Sequence, residues 1–168
     1  VEGVAKKSKK DFAVLGEKIA GKKVGILVKV GDKIAGKTVK QVRVGTNGKI
    51  AVIGRKMDGH VLSVVDELKS SGKKVEAFSE EYLLDKYEFN IDGKVKFWPN
   101  VEEDFKILRK KHGIIPDDVL KNSSMYKANK IWAEKIKAEG YTIVDIGYPA
   151  GETRNSIFYD MELNVIFK

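Results

Sequence analysis

Apolar positions take on a regular spacing from residue 49 onward. "KIAVIG" (49–54) holds the apolar run Ile50, Ala51, Val52, Ile53 of strand length, and Val61, Val64, Val65 and Leu68 follow at i, i+3, i+4 and i+7, the stripe of an amphipathic helix. Gly72 stops that helix and "KVEAF" (74–78) reads as a second strand, so the pattern predicts a β-α-β unit with a right-handed crossover. "YEFNIDGKVKFW" holds two alternating runs around Asp92-Gly93, a hairpin signal, and the hairpin is expected to decorate the sheet. "NVEEDFKILRKKHG" (100–113) opens on Asn, carries early acids and late bases and closes on Gly, as a capped helix does. "IPDDVL" is a turn or short helix, residues 125–140 form a helix closed by Gly140, and "YTIVDIG" (141–147) is the next strand. The expected class is α/β: a Rossmann-like β-α-β core with an inserted hairpin and a basic N-terminal arm.

Before residue 49 the pattern is weaker. "GEKIAGKKV" (16–24) and "GDKIAGKTV" (31–39) form a near-repeat around the apolar run "VGILVKV", read as two similar hairpin-prone or short helical segments. Two copies at this short offset do not make a solenoid. Charge separates this region from the rest: residues 1–48 hold 12 Lys/Arg against 4 Asp/Glu, whereas residues 49–168 hold 20 against 20, so the whole net charge of +8 lies in the first part. The expected organisation is a basic arm or linker over 1–46 and an α/β domain over 47–168. Such an arm attracts phosphate or an acidic protein, or is simply a solvated lysine-rich linker. "VEGVAKKSKKDF" lacks an initiator Met and a signal-peptide core, which reads as a piece of a longer protein. No apolar run has the length of a membrane span, so stable membrane insertion is not expected. With no cysteine in the 168 residues, disulfides and thiolate metal sites are excluded.

The segment 48–60, "GKIAVIGRKMDGH", has the shape of a nucleotide-binding turn: an apolar strand, a glycine, a break, then a helix. The dinucleotide fingerprint needs three glycines, for a tight turn, close pyrophosphate approach and helix packing. Only Gly54 and Gly59 are present, and Arg55, Lys56 and Met57 occupy the crest where phosphate would meet backbone. No ordinary dinucleotide site, and no cofactor, is expected. Arg55 and Lys56 can still contact a phosphate at a strand's carboxyl end, where open α/β sheets bind ligands, and His60 stands beside them. His60 and His112 are the two histidines, far apart and without zinc-pair spacing, so no metal is expected.

Two denser groups lie in the last third. In the helix 125–140, Asn129, Trp132, Ala133 and Ile136 share one face, which puts an amide among core residues. A buried amide must be hydrogen-bonded, so Asn129 is either a structural clip or a substrate-facing group, and Trp132 beside it counts with the substrate-binding candidates. "TRNSIFYDMELNVIF" (153–167) packs Arg154, Ser156, Tyr159, Asp160 and Glu162 around Phe158 and Met161. If "SIFYDMEL" is helical, Glu162 shares a face with Phe158, and a carboxylate there can have a raised pKa and act as general acid or base; otherwise it is a rim acid.

"KIAVIGRKMD", "SMYKANKIWAEKIKAEGYTIVDIG" and "SIFYDMELNVIF" resemble the C-terminal effector modules of bacterial polymorphic toxins, of the kind attached to contact-dependent inhibition, LXG or related secreted carriers. The similarity covers about residues 47 to 168. It implies delivery by a secreted or cell-surface carrier, action in the target-cell cytoplasm, and a cognate immunity protein covering the cleft, expected to be acidic. Nucleases, especially those cutting transfer RNA, are frequent among such modules; the His-rich metal motifs of the nuclease-colicin type are lacking here. The leading expectation is a metal-independent ribonuclease with RNA as substrate. Glu162, Tyr159, Ser156 and Asn129 are its candidates for proton handling and orientation, and Arg55 and Arg154 its phosphate clamps, with Lys56, His60 and Trp132 as further substrate contacts. The alternatives are a glycohydrolase or transferase acting on NAD or another nucleotide, and a non-enzymatic nucleic-acid-binding module.

Overall fold

A computed structural model describes the chain from Phe12 to Lys168, apart from residues 16–17, 20–21, 24–25 and 86, with side chains from Val28 onward. The lysine-rich residues 1–11 lie outside the described residues. In chain order the first elements are β1 (Phe12–Leu15), β2 (Lys18–Ile19), β3 (Lys22–Lys23), β4 (Ile26–Lys29), β5 (Lys33–Ile34), β6 (Lys37–Thr38), β7 (Gln41–Arg43), β8 (Ile50–Ile53), α1 (Leu62–Ser70) and β9 (Val75–Glu76). They are followed by α2 (Glu80–Leu83), β10 (Phe89–Ile91), β11 (Lys94–Lys96), α3 (Trp98–His112), α4 (Asp117–Lys121), α5 (Ser124–Ala138), β12 (Thr142–Asp145) and α6 (Ile157–Phe167). The chain is α/β, and it divides into two compact units.

The first unit takes the described residues up to Ala77 together with Ile136–Arg154. Its centre is a four-stranded sheet of order β7-β12-β8-β9. β8 runs parallel to β9 (Ile50↔Val75) and to β12 (Thr142↔Ile50 through Asp145↔Ile53), while β7 pairs antiparallel to β12 at the edge (Ile143↔Arg43). Every residue of the inner strands β8 and β12 is buried, as expected of parallel strands covered on both faces. Each fully buried Val or Ile contributes about 1.5–3 kcal/mol. The predicted β-α-β unit is present as β8-α1-β9, with Val64, Val65 and Leu68 the buried stripe of α1. β9 is shorter than the sequence pattern implies, two residues rather than five.

The near-repeat forms two hairpins of like register, Lys18↔Lys23 with Ile19↔Lys22 and Lys33↔Thr38 with Ile34↔Lys37. In the second, Ala35 (φ 50°) and Gly36 (φ 75°) supply the paired positive φ of a tight hairpin turn. Val28, Ile34 and Val39, within the stretch read from sequence as an arm, are buried core side chains. Beyond β7 the chain crosses close to the end of α5: a Cβ on Gly45 would stand 2.0 Å from the Gly140 carbonyl oxygen, so this contact requires glycine.

The second unit takes Phe78–Lys135 and Asn155–Ile166. The hairpin β10-β11 turns at Asp92 (φ 53°) and Gly93 (φ 82°) as its sequence predicts, yet it is a two-stranded sheet of its own and does not extend the main sheet. Alternating residues mark a hairpin but not its neighbour. Lys96 ties it to the helices, its ammonium 2.8 Å from the Asp104 carboxylate and 3.0 Å from Ser124 Oγ. The core holds Phe78, with ring centroids 5.4 Å from Trp98 and 5.8 Å from Trp132. α3 starts before Asn100, whose Oδ1 instead accepts from the Phe97 N–H at 3.4 Å, and ends at Gly113 (φ 67°). α5 starts in this unit, capped by Ser123 Oγ, which accepts from the Tyr126 N–H at 3.1 Å.

Candidate functional site

The carboxyl ends of β8 and β12 lie side by side, and the chain leaves each through a glycine. Gly54 is needed for packing: a Cβ there would stand 2.9 Å from both Ile146 Cγ1 and Val61 Cγ2. Beyond it, Arg55 and Lys56 lead into a wide turn closed by the Val61 N–H on the Lys56 carbonyl (3.0 Å), with Gly59 at φ 69° and open space around its Cα. Neither glycine opens a backbone cradle for a pyrophosphate: one is packed tight and the other only bends the chain.

The exit of β12 is built on Asp145. Its Oδ1 accepts the Gly147 N–H at 2.9 Å and its Oδ2 accepts from Gln41 Nε2 at 3.0 Å. This fixes the Gly147 carbonyl, which receives two donors: the Arg55 N–H at 2.9 Å and His60 Nε2 at 3.1 Å. A carbonyl only accepts, so Nε2 carries the proton and Nδ1 is the bare nitrogen. Nδ1 is buried with no hydrogen-bond partner. His60 is 3% exposed, and burial holds its pKa below the ordinary histidine value, helped by the Lys37 charge and opposed by the bond to the Gly147 carbonyl.

Arg55 Nε donates to the Arg154 carbonyl at 3.1 Å, which brings together two arginines 99 positions apart in sequence. The Arg154 side chain is 81% exposed, with its Nε 3.6 Å from Glu152. The bond from the Arg154 N–H, with the two arginine charges, holds the Glu152 carboxyl below its ordinary pKa. Lys56 is exposed. Of the residues chosen from sequence, Arg55 thus bonds the Arg154 backbone and shares the Gly147 carbonyl with His60 in the first unit, while Lys56 follows Arg55 in the chain with its side chain exposed. Asp145, Gln41 and Glu152 were not among the sequence candidates; an acid closing the apolar run "TIVD" was the available signal for Asp145.

The remaining candidates lie in the second unit. Asn129 (3% exposed) donates from Nδ2 to Glu162 Oε2 at 3.1 Å, and Glu162 is 6% exposed, so it is an interior carboxylate rather than a rim acid. Ser156 caps α6, its Oγ accepting the Tyr159 N–H at 3.5 Å, and Tyr159 is buried. Trp132 is fully buried against Phe78 and presents no ring face to solvent. The helical reading of this segment is correct, but Tyr159 and Asp160, expected on one side with Ser156, differ: the first is buried and the second exposed. Among the described residues, no three His, Asp or Glu side chains gather as a metal site, and no helix is long and apolar enough to cross a membrane. No family model, curated protein or solved structure matches the chain.

Proposed function

We propose that the chain is a ribonuclease effector domain that grips RNA phosphate at the corner formed by Arg55, Lys56 and Arg154. The observation that carries this reading is that Arg55, at the exit of β8, bonds the Arg154 backbone and shares with Arg154 the Glu152 carboxylate near the carboxyl ends of the parallel strands β8 and β12, the location where open α/β sheets bind ligands. Cleavage needs a base that takes the 2′-hydroxyl proton, so that the 2′-oxygen attacks the adjacent phosphorus. A cation stabilises the charge that develops there, and an acid protonates the departing 5′-oxygen. Arg55 and Arg154 are the cationic groups. In the second unit, Glu162, which accepts from Asn129, is the residue to test for proton handling, with Tyr159 and Ser156 after it. In keeping with the resemblance to polymorphic toxin modules, the domain is delivered by a larger secreted or surface protein and acts in the target-cell cytoplasm. An acidic immunity protein silences it in the producer.

The β8-α1-β9 unit favours one second reading, hydrolysis or transfer at a nucleotide such as NAD, against which stands the tight packing of Gly54. Brief expression of the chain, followed by side-by-side measurement of total RNA and NAD, separates the two. Broken RNA with intact NAD supports the ribonuclease, and the reverse supports the nucleotide-directed enzyme. Arg154→Ala removes an exposed guanidinium and should weaken RNA binding about tenfold or more, the worth of a hydrogen bond to a charged group. Unchanged binding and cleavage in that variant remove the corner from the proposal.

A further inference from the structure

The second half of α3 presents a surface that the proposed ribonuclease chemistry does not use. One face of the helix is covered: Val101 is buried, and the Phe105 ring packs edge-on against Phe158 at 6.2 Å while Arg109 lies over it at 4.6 Å. The opposite face is bare. Ile107, Lys110 and Lys111 fall at i, i+3 and i+4 and so share one stripe, all of them exposed, with Ile107 at 56%. Gly113 then turns the chain through a left-handed conformation, and Ile114 projects at 92% exposure. Lys106 leans on Glu102 at 3.9 Å, but neither Lys110 nor Lys111 has an ion pair among the described residues. The nearest acids in sequence are Glu102, Glu103 and Asp104 behind the stripe and Asp117 and Asp118 beyond Pro116.

Bases at a helix C-terminus are expected from the helix dipole, and by themselves they indicate no ligand. The two isoleucines are not explained that way. Protruding apolar side chains close in the chain to two ammonium groups without an ion pair match a surface that is anionic outside and apolar just beneath, which is the headgroup boundary of a bilayer. RNA would use the lysines and leave Ile114 in water. A protein would need a socket shaped for Ile114, whereas a bilayer accepts any apolar projection. We infer that Ile107, Lys110, Lys111 and Ile114 form a peripheral docking surface for anionic lipid, in which the lysines meet headgroups and Ile114 enters the boundary region.

The test is flotation of the full chain with vesicles of phosphatidylcholine, with and without phosphatidylserine, at low and physiological salt. Binding should require phosphatidylserine and fall with salt. Lys110→Gln with Lys111→Gln should weaken it roughly 25-fold, at about fivefold for each basic residue. Ile114→Ser, which changes no charge, should weaken it on the order of tenfold. Lys121→Gln with Lys130→Gln removes the same charge from exposed positions elsewhere and should change it little. All these sites are exposed, and circular dichroism checks that each variant is folded. The inference is overturned if no vesicle is bound, if both lysine pairs lose binding equally, or if Ile114→Ser binds as the parent does. It is likewise overturned, in favour of a general polyanion surface, if transfer RNA binding follows the same order across the variants.

Discussion

His60 gives the most exposed test of the corner, because its two nitrogens do different things. Nε2–H holds the Gly147 carbonyl at 3.1 Å, and Nδ1 is buried without a partner. His60→Ala removes a hydrogen bond worth about 1 kcal/mol and leaves a cavity the size of a ring, for a total of about 3 kcal/mol. At about 2–4 °C per kcal/mol for a chain of this size, the melting midpoint should drop by on the order of 10 °C. His60→Gln keeps an N–H donor without the titration and should cost about 1–2 kcal/mol, mostly in lost packing. The more specific readout is pH. Burial holds the folded pKa of His60 below the unfolded value near 6.5, so the unfolded chain binds the extra proton first. Its contribution is complete above pH 6.5 and is lost as pH falls from there to the depressed folded pKa, with a slope of up to about 1.4 kcal/mol per pH unit. The Asp104 carboxyl is also depressed, chiefly by the Lys96 hydrogen bond, but its effect lies below its own ordinary value of 3.8, outside the histidine window. Urea unfolding between pH 5 and 8 should therefore show a slope in the parent that His60→Gln lacks. An equal slope in both proteins, or a His60 titration by NMR at or above 6.5, would refute the argument.

Glu162→Gln keeps an acceptor for Asn129 and should leave the protein folded while lowering RNA cleavage by about 10² to 10⁴, the usual loss when a general acid or base is removed; parent-level cleavage would make Glu162 purely structural. Asn129→Ala strips a donor from a buried carboxylate and should cost about 3 kcal/mol in a denaturant titration, whatever the activity does. Gly54→Ala forces a methyl into Ile146 and Val61 and should destabilise by about 1–3 kcal/mol, whereas Gly59→Ala meets open space and pays only about 1–2 kcal/mol for its positive φ. Soluble yield and melting point of the pair check this, together with Gly45→Ala, which should not fold because its Cβ would collide with backbone.

The regular elements were legible where spacing alone decides them: β8, α1, α3, α5 and β12 follow from apolar runs and stripes, and Gly72, Gly113 and Gly140 end helices in left-handed conformations as read. Partners across the sheet were not. β7 is three residues of "QVR" in a lysine-rich stretch, too short to show a period, and its pairing with β12 links residues about a hundred positions apart. The same separation hid the meeting of Arg55 with Arg154. For Glu162 the sequence offered two readings, an acid on an apolar face or a rim acid, and could not choose between them: "IFYDMELNVIF" is apolar on nearly every side, so the helical pattern defines no polar face from which a carboxylate's burial can be judged. Asn129 was legible as an interior amide because its helix does have two distinct faces, but only the fold shows that its partner is Glu162.

The strand order also has a kinetic meaning. β12, an inner strand of the sheet, is the last of its strands to be synthesised, and within that sheet β7 has no other partner. As the chain leaves the ribosome, β8 and β9 can pair around α1, but one side of β8 stays open and β7 waits until residue 145 emerges. The nascent chain therefore carries an apolar strand with an unmatched edge while residues 54 to 141 are made, and the closing step must bring together segments of very large sequence separation, which slows folding and favours capture by chaperones or like chains.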